Sequence, residues 1–204
     1  GPRKWQPDRD PIDVLIGTIL SQNTSDTNSG RAFATLKDSF ASWEAVASAP
    51  AEHIARVIKS GGLSQIKAVR IKQVLEQIEK EQGRIRLDFL KSKPMAETED
   101  YLMRLPGVGH KTARCVLLFS LGKPSLPVDT HVFRVAKRLG LIDSRVSIEK
   151  AHSLLQEQTP PCKVYQFHIH MIEHGRRICH ARQPRCNRCI LRGVCPSSLR
   201  FHRS

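Results

Sequence analysis

The chain has 204 residues, with 33 Lys and Arg against 19 Asp and Glu, a formal net charge of +14 and a pI near 10.0. That length allows one ample core or two modest lobes, and that charge attracts phosphate backbones and makes binding salt-dependent. No apolar run is long enough to span a bilayer and no signal peptide opens the chain, so a protein of a reducing, intracellular compartment is expected.

Aromatic residues make up 5% and alternating apolar–polar runs are scarce, so an all-α fold is expected. Gly1-Pro2 has the form of a protease-cleavage scar. Ile12, Leu15, Ile16, Ile19 and Leu20 follow the spacing of one buried helix face. Ile66, Val69, Val74, Leu75 and Ile78 form a second, less regular face, entered through Gly61-Gly62 with Ser64 as N-cap. Lys91-Ser92-Lys93-Pro94 reads as a loop. Ala113, Val116, Leu117, Ser120 and Leu121 form a third face, ended by Gly122 and Pro124. Further helices are expected over about 128–140, 147–158 and 163–177. Turns fall at Ala49-Pro50, Gly61-Gly62, Pro106-Gly107 and Thr159-Pro160-Pro161. Cys115 and Cys162 read as small core hydrophobes.

Three segments carry chemistry. In Leu105-Pro106-Gly107-Val108-Gly109-His110-Lys111-Thr112, Pro106 ends one helix and two glycines let the backbone approach a partner. The amides that open the next helix then point outward, where Gly107, Gly109, His110 and Thr112 can grip a phosphate without reading sequence. By itself the turn could equally be a tight helix connection. In Pro127-Val128-Asp129-Thr130-His131, Asp129 suits a helix N-cap, which does not exclude a catalytic role. Last, Cys179-x6-Cys186-x2-Cys189-x5-Cys195 lies in a stretch with no acidic residue after Glu173. Four thiolates suit either tetrahedral zinc or a [4Fe-4S] cluster. The surrounding arginines, Arg185 and Arg188 among them, point to nucleic acid.

Together, in this order, these segments resemble the endonuclease III family of base-excision DNA glycosylases, over about nine-tenths of the chain. The resemblance implies a two-lobed helix-hairpin-helix fold with DNA across the cleft between the lobes. A six-helix barrel lobe would span 11–123, with the hairpin at about 98–121. An iron-sulfur lobe would join 1–10 to 124–204, with its cluster loop at 179–195. The four cysteines would then hold [4Fe-4S], chiefly to shape the loop that presents Arg185 and Arg188. Gly1 to Asp10 is too short and proline-broken to supply the family's first helix in full.

Lys111 matches the family's catalytic lysine, whose neutral amine attacks the sugar and forms a Schiff base. The helix's positive end, neighbouring cations and partial burial would favour that neutral form. Asp129 matches the catalytic aspartate, which helps deprotonate the amine or stabilises oxocarbenium charge. His131 and Asp26 would form a polar network behind these groups. Leu63 matches the apolar wedge that helps fill the gap left by an extruded base. Where the family carries a gap-filling glutamine, alignment on Asp26 places Asn23, with Gln22 beside it. The expected function is a monomeric, bifunctional glycosylase/AP lyase. Its partner would be double-stranded DNA with oxidised pyrimidines or abasic sites, with no membrane involved. The alternatives are a mismatch-directed thymine/uracil glycosylase, a non-catalytic DNA-binding scaffold, and a zinc-stabilised RNA-binding protein.

Overall fold

The computed structural model describes residues 4–198; Gly1 and Pro2 lie outside the described residues. The described residues form two compact units, one of residues 7–123 and one joining 4–6 to 124–198. Every regular element among the described residues is helical.

The first unit contains α1 (Pro11–Leu20), α2 (Asp26–Ser39), α3 (Trp43–Ser48), α4 (Ala51–Val57), α5 (Ser64–Gln82), α6 (Met95–Met103) and α7 (His110–Phe119). α1 is its central element. Asp10 Oδ1 accepts from the amides of Ile12 (2.8 Å) and Asp13 (3.0 Å), and Pro11 opens the helix. Ile12, Leu15, Ile16, Ile19 and Leu20 are all at most 2% exposed, as their spacing predicts. Each such side chain contributes about 1.5–3 kcal/mol of burial, so α1 anchors the core against α2, α5 and α7.

α5 departs from the expected pattern. Ile66 is 57% and Val69 44% exposed, while Lys67, Ala68, Ile71, Val74, Leu75 and Ile78 face inward. Ala68, Ile71, Leu75 and Ile78 keep helical spacing on one buried face that Ile66 and Val69 lie off; Lys67, on that same side, donates to the Leu20 and Gly61 carbonyls. Ser64 is the first helical residue, not the cap: Leu63 holds the cap position, with φ 50° and no capping side chain. Lys91 and Ser92 belong to a 3-10 turn, Asp88–Ser92. Residues 4–10 form no helix.

The second unit contains α8 (Thr130–Leu139), α9 (Ile148–Gln158) and α10 (Val164–Arg177), close to the expected bounds. Two short 3-10 turns, Cys186–Arg188 and Arg192–Val194, shape the chain beyond. α8 packs on α10 through Gly175, where a Cβ would stand 2.9 Å from that of His131. Cys115 is buried as expected, but Cys162 is exposed, because the 3-10 turn Pro161–Lys163 buries none of its residues. No described helix is long and apolar enough to cross a membrane.

Candidate nucleic-acid interface and catalytic groups

The hairpin joins α6 to α7. Leu105 and Val108 are buried and anchor the turn, and the Val108 amide donates to the Leu105 carbonyl at 3.1 Å. Gly107 has φ +69°, a conformation that side chains disfavour. Gly109 is the N-cap of α7 and has no capping side chain. The amides of His110, Lys111 and Thr112 therefore open the helix without intrahelical acceptors, as first-turn amides do. A Cβ at Gly109 would meet no protein atom within 4 Å, so the space beside this cap is open. Lys111 lies on this first turn, half-buried.

An acidic residue unnoticed in the sequence braces the hairpin. Glu99 of α6 accepts from Arg114 Nε at 2.8 Å and pairs with His110 Nδ1 at 2.9 Å, joining α6 to α7. Burial alone would push the Glu99 carboxyl up, but the hydrogen bonds from Arg114 and His110 outweigh it and hold it below its usual range. The signal was an acid on α6 facing two basic residues, His110 and Arg114, one turn apart on α7.

Two loops flank the hairpin. Asn23 (φ 53°) and Leu63 (φ 50°) are the two non-glycine residues with positive φ among the described residues. A left-handed leucine costs about 1–2 kcal/mol, and such strain gathers at functional positions. Asn23 is exposed, and Leu63 is 53% exposed rather than packed into the core. Gln22 is held instead: its Oε1 accepts from Arg70 Nη1 at 2.7 Å, and its Nε2 donates to the Gly107 carbonyl at 3.5 Å. Asp26 opens α2 and lines an open cavity of about 500 Å³ with Thr18, Ser29, Phe33 and Cys115.

In the second unit Asp129 caps α8, its Oδ1 accepting from the Val132 amide at 2.7 Å, as its sequence position suggests. His131 Nδ1 accepts from Arg134 Nη2 at 3.1 Å. Arg134 also donates to the carbonyls of Gly175 (2.9 Å) and Cys179 (3.0 Å), tying α8 to the end of α10.

Cys179, Cys186, Cys189 and Cys195 line one cavity with Val135, Arg138 and His174. Arg138 Nη1 donates to Cys179 Sγ at 3.2 Å and to the His180 carbonyl at 2.7 Å, and Nη2 donates to the Ala181 carbonyl at 2.8 Å. His174 Nε2 lies 3.7 Å from Cys189 Sγ, and burial pushes this imidazole below its ordinary value. Burial and the other three sulfurs push the Cys186 thiol up. Among the described residues no three His, Cys, Asp or Glu groups are placed to hold a metal ion. Arg185 and Arg188 are exposed on this loop. Arg134 and Arg138 were legible only as a basic pair one turn apart on α8.

The family described as HhH-GPD superfamily base excision DNA repair protein matches residues 16–161. An Arabidopsis thaliana protein named as a putative DNA glycosylase is 39% identical over 81% of this chain, which spans only 56% of that relative's length. Endonuclease III of Thermotoga maritima is 36% identical over 91% of this chain and 83% of its own. A trapped endonuclease III–DNA covalent intermediate, an estranged-adenine complex, superposes with a TM-score of 0.83 at 31% identity, covering 94% of this chain and 86% of that one. The chain belongs to the HhH-GPD superfamily of base excision DNA repair proteins and, within it, to the endonuclease III family.

Proposed function

We propose that this protein is a bifunctional DNA glycosylase/AP lyase that removes oxidised pyrimidines from duplex DNA, acting as a monomer. The observation that carries this reading is Lys111 on the first turn of α7, directly after the Gly109 N-cap, beside which the space is open. A pure phosphate grip needs the turn and its amides; an amine at that place adds a nucleophile.

In this mechanism the neutral Lys111 amine attacks C1′ of an extruded nucleotide, and the N-glycosidic bond breaks with its electron pair going to the departing base, which takes up a proton. Opening of the sugar leaves an iminium on Nζ. Loss of the C2′ proton then expels the 3′ phosphate, and hydrolysis of the imine frees the lysine. Asp129 uses Oδ1 as a helix cap, which fixes the carboxylate's direction. Its other oxygen accepts the amine's proton or faces the positive charge developing at C1′. Asn23 and Leu63, exposed and backbone-strained, fill the gap left by the extruded base. Asn23 takes this role over Gln22 because the Gln22 amide is already engaged.

The four cysteines would hold a [4Fe-4S] cluster. Four thiols lining one cavity match its ligand count. Four thiolates also suit zinc; membership of the endonuclease III family favours the cluster. When bound, it would hold the loop rigid, so that Arg185 and Arg188 would meet phosphates.

Borohydride trapping on a duplex carrying thymine glycol tests the reading, with Lys111→Gln as control. Wild type is expected to form a covalent adduct that the variant does not. Trapping on an abasic site but not on thymine glycol would leave the lyase and reject the lesion. No trapping on either would reject the lyase.

A further inference from the structure

Two of the cations on α5, Lys67 and Arg70, have contacts that converge on three of the segments assigned above to DNA, those of Gln22 and Asn23, of Leu63 and of the hairpin. Lys67 is 2% exposed and faces no carboxylate; its Nζ donates to the Leu20 carbonyl at 2.7 Å and to the Gly61 carbonyl at 2.8 Å. Leu20 is the last residue of α1, where carbonyls lack helical partners, and it leads directly into Gln22 and Asn23. Gly61 leads directly into Leu63. One buried ammonium thus fixes the roots of both gap-filling segments.

Arg70 lies one turn further along. Its Nη1 holds Gln22 Oε1 at 2.7 Å. Its side chain also lies on the hairpin turn so closely that a Cβ at Gly107 would overlap Nε, Cδ and Cζ. Gln22 closes the triangle by donating to the Gly107 carbonyl. Gly107 is therefore a glycine for two independent reasons, its positive φ and the guanidinium against it.

We infer that Arg70, with Lys67 behind it, is a positioning residue that sets the distance between the phosphate-gripping hairpin and the gap-filling Asn23 and Leu63, and thereby lesion discrimination. This rests on the proposed function. The physical reason is rigidity. Gap filling succeeds only if the inserted side chains stand at a fixed place relative to the phosphate that the hairpin holds. Loops alone do not supply that, whereas a planar guanidinium hydrogen-bonded to Gln22 and packed against Gly107 does. Arg70 does not itself touch DNA in this arrangement.

The experiment uses the full chain and two duplexes, one undamaged and one with a tetrahydrofuran abasic analogue beside 2-aminopurine. Melting temperature, Kd for each duplex and 2-aminopurine fluorescence are read for wild type, Arg70→Met, Gln22→Leu, the double variant and Gln22→Glu. Arg70→Met is expected to cut the preference for the abasic duplex about tenfold, equivalent to about 1.4 kcal/mol, and to reduce the fluorescence rise. Affinity for undamaged duplex, carried by overall charge, should change less than about twofold. Gln22→Leu should behave alike, the double variant no worse than either single one, and Gln22→Glu, which still accepts from Arg70 but loses the donation to Gly107, should lose less of the preference than Gln22→Leu. Equal losses on both duplexes would make Arg70 a plain phosphate contact and overturn the inference. An unchanged preference in both single variants, or additive losses in the double variant, would overturn it too. If wild type itself shows no preference, the functional reading fails, and the inference with it. If Arg70→Met does not fold, the two Gln22 variants decide alone.

Discussion

Replacing Gly107 by alanine should destabilise the protein by about 3 kcal/mol, and two contributions make that figure. At φ +69° an alanine sits in the left-handed region, at a cost of about 1–2 kcal/mol. Its Cβ would also collide with Nε, Cδ and Cζ of Arg70. These atoms lie in the middle of the side chain rather than at its tip, so the whole guanidinium must leave. That move breaks the 2.7 Å bond to Gln22, a charge-assisted contact in the range of about 1.5–3 kcal/mol. For a chain of this length 3 kcal/mol corresponds to a fall in Tm of about 10 °C, readable by circular dichroism. Gly109→Ala is the internal control. Gly109 has an ordinary φ of −104° and open space at its Cβ. Its cost is the weaker N-cap quality of alanine, less than about 1 kcal/mol. The methyl would, however, stand in that open space beside the cap, so duplex affinity should drop about tenfold with Tm nearly intact. The reasoning is refuted if Gly107→Ala melts within about 2 °C of wild type, or if both variants lose the same stability.

Two more outcomes follow from the side-chain networks. The Glu99 carboxyl is held below its unfolded value of 4.5, so its stabilisation is complete above that pH and is lost as pH falls through the lower folded value. Glu99→Gln should therefore melt lower than wild type at neutral pH, with the gap closing below about pH 4.5; a gap constant across acid titration would disprove the brace. Cys186→Ala removes one of the sulfurs around the cavity. It should abolish any iron-sulfur charge-transfer absorbance and open residues 179–195 to proteolysis; retention of that absorbance would reject Cys186 as a ligand.

Several elements could be read directly along the chain. The buried face of α1, the three helices of the second unit and the cap role of Asp129 depend on neighbours within a turn or two, which periodicity and capping chemistry report. The hairpin belongs with them, because Pro106 and Gly107 act on their own backbone. Other features were misjudged for a common reason. Ile66 and Val69 carry apolar side chains at helical spacing yet face out, because Ala68, Ile71, Leu75 and Ile78 form the face that packs on the rest of the unit. Cys162 is exposed because of how its 3-10 turn is seated, which residue type does not encode.

The sequence by itself determined the fold class, the helix-opening position of Lys111, the cap at Asp129 and the cysteine spacing, since each is encoded in covalent neighbours and short-range hydrogen bonds. Only the tertiary structure decided that Glu99 braces the hairpin, that Gln22 is held while Asn23 is presented, and that Lys67 and Arg70 tie three loops together. Gln22 and Gly107 are 85 positions apart, Arg70 and Gln22 48, and Lys67 and Leu20 47. Contacts of that span exist only once the core of α1, α5 and α7 has packed, because a flexible chain pays loop-closure entropy for each of them and no local pattern announces which will form.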